Sequence, residues 1–362
     1  MFLVLKKLLV LNEMIKTDIL IIGAGPTGLF TVFEAGLLGM KCHIIDSLGQ
    51  PGGQCSEIYP KKPIYDIPAH PEILAGDLIT KLLDQIKPFN PTYTFGETAD
   101  KLEKLSDGFV ITTDKDSVVK GKVLVIAGGL GNFEPRKPRI ENISKFEDNG
   151  LQYKIVGKDI FINKNVVISG GGDSALDWTL ELSKIAKKVT LIHRRNEFRG
   201  AVESVNKIQS LKDKGIIDVL TPATLVKING EKNVESIEIK HNDSNVKIDT
   251  DYIIPLYGLV PKMEIFKNWG LDIDKNALVV DNSKDYSTNI KGIYAIGDIN
   301  TYPGKLKLIL SGFHEAAVMC HSAYGIINPG KKNVLKYTTI SGVKGFDGSV
   351  KEAKKIEINS IK

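Results

Sequence analysis

Short apolar runs alternate with helical-period stretches along most of the chain. Residues 18–22, DILII, read as a buried strand, an apolar run without polar alternation. Residues 29–39, LFTVFEAGLLG, carry a helical pattern, and 41–46, KCHIID, a second strand. The same order returns later: NVVIS (165–169), the helical LDWTLELSKIA (176–186) and the strand KVTLIH (188–193). VLVIAGG (123–129) and IYAIGD (293–298) read as further buried strands, and LILSGFHEAAVMCHSAYGII (308–327) as a long helix. Between 216 and 255 the pattern changes to alternation, as in VESIEIKHND and VKIDTDYIIP, which predicts half-buried strands. Strand–helix–strand units predict an α/β chain with parallel sheets.

The turns inside the two repeated units carry the chemistry. Gly23-Ala24-Gly25-Pro26-Thr27-Gly28 is G-x-G-x-x-G between a strand and a helix, and Asp46 ends the next strand. In such a turn Gly23 permits the tight bend, Gly25 lets backbone approach a pyrophosphate, and Gly28 lets helix and strand pack closely. The helix N-terminus then faces the phosphates with free N–H groups. Asp46 suits ribose hydroxyls. The second copy is Gly170-Gly171-Gly172-Asp173-Ser174-Ala175, or G-x-G-x-x-A. The first copy places an acid 23 residues after its first glycine, whereas the second has His193 at that offset, followed by Arg194, Arg195 and Arg199. Guanidinium groups suit a ribose 2′-phosphate, so the second site is expected to take NADP(H) in preference to NAD(H). Two such sites imply two nucleotides, and the natural pair is a bound FAD in the first and a visiting nicotinamide in the second.

Composition narrows the class. At 362 residues, 42% apolar and 25% charged, the chain is ordinary globular material of two or three domains. Its net charge of +5 allows attraction to an acidic partner but is too weak and interspersed to imply nucleic acid. Cys42, Cys55 and Cys320 form no C-x-x-C, so no disulfide framework, zinc ribbon or vicinal dithiol is expected. Cys42 and Cys320 read as small core hydrophobes, and Cys55 as filler in place of a redox partner. His314 and His321 share a helical stretch without a carboxylate cluster, so no metal site is expected. Asp173, at a helix start, reads as a capping and dipole residue in place of a catalytic acid. Residues 1–13, MFLVLKKLLVLNE, lack the order of a signal peptide; they read as a non-native start before Met14, with an amphipathic surface anchor as the alternative. No transmembrane segment is expected, and the cytoplasm follows by default.

The order of segments predicts two Rossmann-like dinucleotide-binding domains of the three-layer ββα type, the second inserted into the first. The expected boundaries are 14–129 for the first part of the FAD domain, 130–257 for the NADP(H) domain, 258–330 for the second FAD part and 331–362 for a tail. GNFEPRKPRIENIS, from 131, reads as the crossover.

With these motifs the chain resembles the two-dinucleotide-domain flavoproteins related to bacterial thioredoxin reductase. The resemblance runs from Met14 to about Ile340 on GAGPTG, GGQ (52–54), AGG (127–129), GGGDSA (170–175), HRRxxFR (193–199) and AIGD (295–298). It departs where those reductases carry C-x-x-C: the stretch before the second glycine loop is YKIVGKDIFINKN. It is more similar to the thioredoxin-reductase-like ferredoxin–NADP⁺ reductases, which also lack that dithiol. EIYPKKPIYDIP (57–68), GNFEPRK (131–137), NWGLDI (268–273), GDINTYPGKLKLILSGFHEA (297–316) and KYTTI (336–340) carry this closer likeness.

The resemblance implies site residues. Gly23, Gly25, Thr27, Gly28 and Asp46 would hold the adenosine and pyrophosphate part of FAD, Gln54 the flavin region, and Tyr59 one face of the isoalloxazine. Ala99 would flank the adenine, Phe133 contact the cofactor, and Asp298 hold the ribityl–phosphate part. Tyr337, with Thr338 and Thr339, would cover the partner subunit's flavin in a homodimer. Gly170, Gly172, Asp173, Ser174, Ala175, His193, Arg194, Arg195 and Arg199 would bind NADP. No protein acid–base group is expected to be catalytic: hydride passes between nicotinamide C4 and flavin N5, and electrons pass singly to ferredoxin or flavodoxin. The alternatives are another NADPH-dependent flavin enzyme, acting on a quinone, free flavin or small disulfide, and a redox sensor that does not turn over.

Overall fold

The structure, a computed structural model, describes residues 14–129, 133–155, 157–242, 244–261, 263–333, 338–343 and 345–346. The chain divides into two compact units, one of residues 1–132 with 261–362, the other of residues 133–260. The second unit therefore interrupts the first, and the crossing segments Phe133–Pro135 and Leu259–Pro261 pair as a short ribbon.

In the first unit, β1 (Ile15–Ile22) leads into α1 (Pro26–Leu37) and β2 (Cys42–Asp46). α2 (Ala75–Ile86) and β3 (Thr92–Phe95) follow, then the antiparallel β4 (Ala99–Leu105) and β5 (Gly108–Thr113), and β6 (Val118–Ile126). β1 lies between β2 and β6, parallel to both, in the registers Ile19 to Cys42 and Ile19 to Val123. β6 pairs parallel with β1 along its length, and on its other edge its first half pairs antiparallel with β5. β1 reads as a continuous apolar run because Ile19, Leu20 and Ile21 are all fully buried. Each such side chain contributes about 1.5–3 kcal/mol of burial.

The second unit holds β7 (Asn165–Ser169), α3 (Asp173–Leu182), β8 (Lys188–Ile192), α4 (Val202–Asp213) and β9 (Ile217–Leu220). β10 (Ala223–Asn229), β11 (Ser236–His241) and β12 (Ser244–Asp249) form an antiparallel meander, and β13 (Tyr252–Pro255) returns to the parallel sheet in the order β9-β8-β7-β13. Alternation assigns the faces. Val167, Ile192 and Ile253 join the core with Leu225, Ile237 and Ile239 of the meander. Their neighbours Val166, Ile168, Leu191 and Ile254 join Leu176 and Leu182 of α3 and Ile208 of α4. The unit is thus meander, parallel sheet and helices in three layers.

The chain re-enters the first unit, adds β14 (Ile293–Ala295) parallel to β6, and ends its core with α5 (Ile309–Ile327) packed on α1. No helix among the described residues is long and apolar enough to cross a membrane.

Candidate functional site

The two glycine loops have the same construction. In the first, Gly23 has φ +107°, and a Cβ there would lie 2.5 Å from the Ala127 carbonyl oxygen. A Cβ on Gly28 would lie 1.9 Å from the Gly23 carbonyl oxygen. Around a Cβ on Gly25 there is nothing within 4 Å. The second loop repeats this: a Cβ on Gly170 would meet the Leu256 carbonyl oxygen at 2.6 Å and Ala175 Cβ at 2.8 Å, while Gly172 again faces open space. Gly25 and Gly172 are also the N-caps of α1 and α3, with Pro26 at the first turn of α1. Each loop therefore presents a helix N-terminus and one glycine whose missing side chain leaves room for a group from outside. Such a helix start has room and free N–H groups for an anion such as a phosphate.

Asp46 stands where the motif places it, but its carboxylate already accepts two backbone N–H groups. Oδ2 takes Ala24 N–H at 2.6 Å and Oδ1 takes Leu48 N–H at 2.8 Å. Burial pushes this carboxyl up while the two amides pull it down. A carboxylate has about four acceptor positions, so two remain for further donors. Ala99 is buried at the start of β4, and the Glu97 N–H beside it donates to the Asp46 carbonyl oxygen at 3.2 Å. The Gly52-Gly53-Gln54 turn folds back on the first loop, with Gly52 N–H donating to the Ala24 carbonyl oxygen at 2.8 Å.

Cys55, Tyr59 and Asp298 come together in the same unit. The half-buried Tyr59 hydroxyl donates to the buried Cys55 thiol, and the Asp298 carboxylate acts electrostatically on both. Burial pushes the Cys55 thiol up to about 11 and the Tyr59 hydroxyl up as well. Burial raises the Asp298 carboxyl too, with Lys305 and Lys307 opposing. Thr27 lies under the Asp298 turn: a Cβ on Gly297 would come 3.0 Å from its hydroxyl, and one on Gly312 of α5 would come 2.3 Å from it.

In the second unit, the 193–199 segment turns back onto its glycine loop. Arg199 N–H donates to the Gly171 carbonyl oxygen at 2.7 Å, and the His193 ring fills the space a Gly171 side chain would need. Phe198 stacks on His193 at 5.5 Å. His193 is held below its usual value, first by burial and then by the neighbouring arginines, and its Nε2 is buried without a partner. Arg194, Arg195 and Arg199 are exposed, and no ion pair of theirs occurs among the described residues. Three arginines on one segment, none in an ion pair among the described residues, suit an anion brought from outside.

Several expected residues stand differently. Asp173 does not cap its own helix, because Gly172 holds the N-cap position and no side chain caps it. The Asp173 carboxylate instead accepts Ala201 N–H at 2.8 Å, tying the start of α3 to the start of α4. Ser174 is exposed in the first turn and Ala175 is buried against Gly170. Thr338 and Thr339 are exposed on a short helix, whereas Tyr337 and the Phe133 side chain lie outside the described residues, as do residues 1–13. The three cysteines are free and buried. Among the described residues no group of three or more His, Cys, Asp or Glu is placed to hold a metal.

No motif in the sequence points to Glu315. It is fully buried on α5, where Oε2 accepts Gly297 N–H at 2.6 Å and the Asn300 amide at 3.0 Å. Its Oε1 accepts the Tyr302 hydroxyl at 2.8 Å and the buried Lys305 ammonium. The signal was available: Glu315 is the lone carboxylate in the apolar stretch 308–327.

Comparison with known proteins agrees with this geometry. Residues 17–317 match the family model described as pyridine nucleotide-disulphide oxidoreductase. A ferredoxin–NADP reductase from Flavobacterium johnsoniae is 62% identical over 349 residues, 96% of this chain and 100% of that protein. The chain belongs to the pyridine nucleotide-disulphide oxidoreductase family, among the ferredoxin–NADP reductases. A more distant ferredoxin–NADP reductase of this family, from Mesorhizobium japonicum, is 47% identical over 91% of this chain and 97% of its own length. In fold the family member resembles Lactococcus lactis thioredoxin reductase (TM-score 0.72, 24% identity, 86% of this chain and 99% of that one). It also resembles the bacillithiol disulfide reductase of Staphylococcus aureus (TM-score 0.73, 21% identity, 85% of this chain and 98% of that one).

Proposed function

We propose that this chain transfers electrons between NADP(H) and a small one-electron carrier, ferredoxin or flavodoxin, with FAD bound in its first unit and NADP(H) in its second. Family membership supports both cofactors. The observation that carries the assignment of sites is the paired cradles: Gly25 and Gly172 each face open space at a helix N-terminus, and the second has beside it arginines without an ion pair among the described residues. When bound, the flavin supplies hydride exchange with the nicotinamide and single-electron exchange with the carrier.

The protein's own residues bind and orient. The first loop holds the pyrophosphate of FAD, Asp46 its ribose, Gln54 and Tyr59 the flavin side, Ala99 the adenine edge and Asp298 the ribityl–phosphate part. Gly170, Gly172, Ser174 and Ala175 hold the phosphates of NADP(H), and Arg194, Arg195 and Arg199 take its 2′-phosphate beside His193. The Cys55 thiol, raised by burial, orients Tyr59 and does not relay electrons. The protein acts as a cytoplasmic homodimer in which Tyr337, with Thr338 and Thr339, covers the partner's flavin. The net charge of +5 supports attraction to an acidic carrier.

NADPH-driven cytochrome c reduction, with and without added ferredoxin or flavodoxin, tests the reading. The carrier should accelerate it, and the gain should shrink as salt rises. An equal rate without carrier, together with fast reduction of quinones or small disulfides, would move the chain to another flavin-reductase activity.

A further inference from the structure

A buried ion pair lies beneath the Asp298 turn. Gly297 has φ +77°, and its N–H ends on Glu315 Oε2 at 2.6 Å. Asn300, three residues on and fully buried, donates to the same oxygen at 3.0 Å and to the Ala295 carbonyl oxygen at 2.9 Å. Its own Oδ1 has no partner. The amide cannot be turned round, since both neighbours of its nitrogen are acceptors. The other carboxylate oxygen is committed to Tyr302 and Lys305, with the Lys305 ammonium 5.3 Å from the centre of the Tyr302 ring. Glu315 and Lys305 are 0% and 5% exposed at the side chain, so neither ion is shared with solvent.

Such a pair is a poor device for stability alone, because desolvating two ions offsets most of their attraction. Its geometry shows a different use. One oxygen grips the turn, and the other is held by the lysine and the tyrosine, so the carboxylate cannot rotate away. The same turn lies against Thr27 of the first glycine loop, which also packs on Gly312 of α5. We propose that Glu315 is a positioning residue for the flavin, fixing the Gly297–Asp298 turn against the first glycine loop through the Gly297 N–H. The inference rests on the reading of the Asp298 turn as part of the flavin site.

Two charge-neutral double variants separate positioning from charge and from folding. In Lys305→Met with Glu315→Gln, the amide oxygen still accepts from Gly297. In Lys305→Met with Glu315→Met, volume is kept and the acceptor is lost. FAD release from each purified holoenzyme is followed by flavin fluorescence on dilution, beside thermal unfolding. The glutamine double should hold FAD within about threefold of the parent, and the methionine double at least about tenfold more weakly at a comparable melting temperature. Equal FAD affinity in the two doubles overturns the proposal, as does a tenfold loss in the glutamine double while it stays folded. If the methionine double does not fold, the glutamine double decides alone: retained FAD supports the anchor, lost FAD refutes it. A parent protein that carries no FAD would instead refute the flavin reading itself.

Discussion

Gly172→Ala isolates the second cradle from the rest of the molecule. The backbone there is extended, at φ −99° and ψ 179°, so alanine adopts it without strain. A Cβ would find nothing within 4 Å, so no protein atom has to move. The cost to stability is that of alanine at an N-cap, about 1 kcal/mol. The new methyl group would occupy the space through which phosphate oxygens reach the N–H groups of α3. Displacing them by even a fraction of an ångström should cost about 1.4 kcal/mol or more, at least tenfold in affinity. The expected result is a protein that keeps its flavin and nearly its melting temperature, with KM for NADPH raised tenfold or more. Gly170→Ala is the contrast, since its Cβ would meet backbone oxygen at 2.6 Å, and it should destabilise the second unit instead. Steady-state kinetics with flavin content and thermal unfolding on the same preparations give all three readouts. An unchanged KM in folded Gly172→Ala would refute the cradle.

Other consequences are equally direct. Arg194→Ala with Arg195→Ala should lower kcat/KM for NADPH by about 2 kcal/mol, roughly thirtyfold, and leave NADH nearly untouched; equal losses with both nucleotides would remove the 2′-phosphate assignment. His43, buried with Nδ1 on Thr92 and Nε2 on Thr94, is lowered by burial to about 4. The unfolded chain therefore binds the extra proton first as pH falls from about 6.5 towards 4, and about 3 kcal/mol of stability present above that window is lost across it. Urea unfolding from pH 7 to pH 4 should show this slope, and His43→Gln should flatten it. Cys55→Ala should retain carrier reduction within about threefold, and the native chain should react only slowly with a thiol reagent, since burial raises all three thiols; loss of turnover in Cys55→Ala would make the thiol a participant.

What was legible in the sequence is what depends on local geometry. A strand, a glycine turn and a helix in succession have few structural solutions, so both loops and the interruption of one unit by the other could be read directly. The second unit begins at 133, inside the Pro-rich crossing segment. Other features depended on long-range packing. Asp173 was read as a capping and dipole residue; it does stand in the first turn of α3, but its carboxylate's partner, the Ala201 amide, lies 28 positions away. Asp46 was read only towards a ligand, while the structure shows it also bracing the glycine loop. Glu315 has partners from 297 to 305, 10 to 18 positions before it, that meet it only when α5 folds back on that segment, so its spacing in sequence carried no motif.

Anaerobic rapid mixing of the flavin-loaded protein with NADPH, then with oxidised ferredoxin, tests the central claim most directly. The account predicts that the flavin absorbance bleaches with NADPH far faster than with NADH, and returns as ferredoxin is reduced. Bleaching that ferredoxin and flavodoxin both fail to reverse would contradict it.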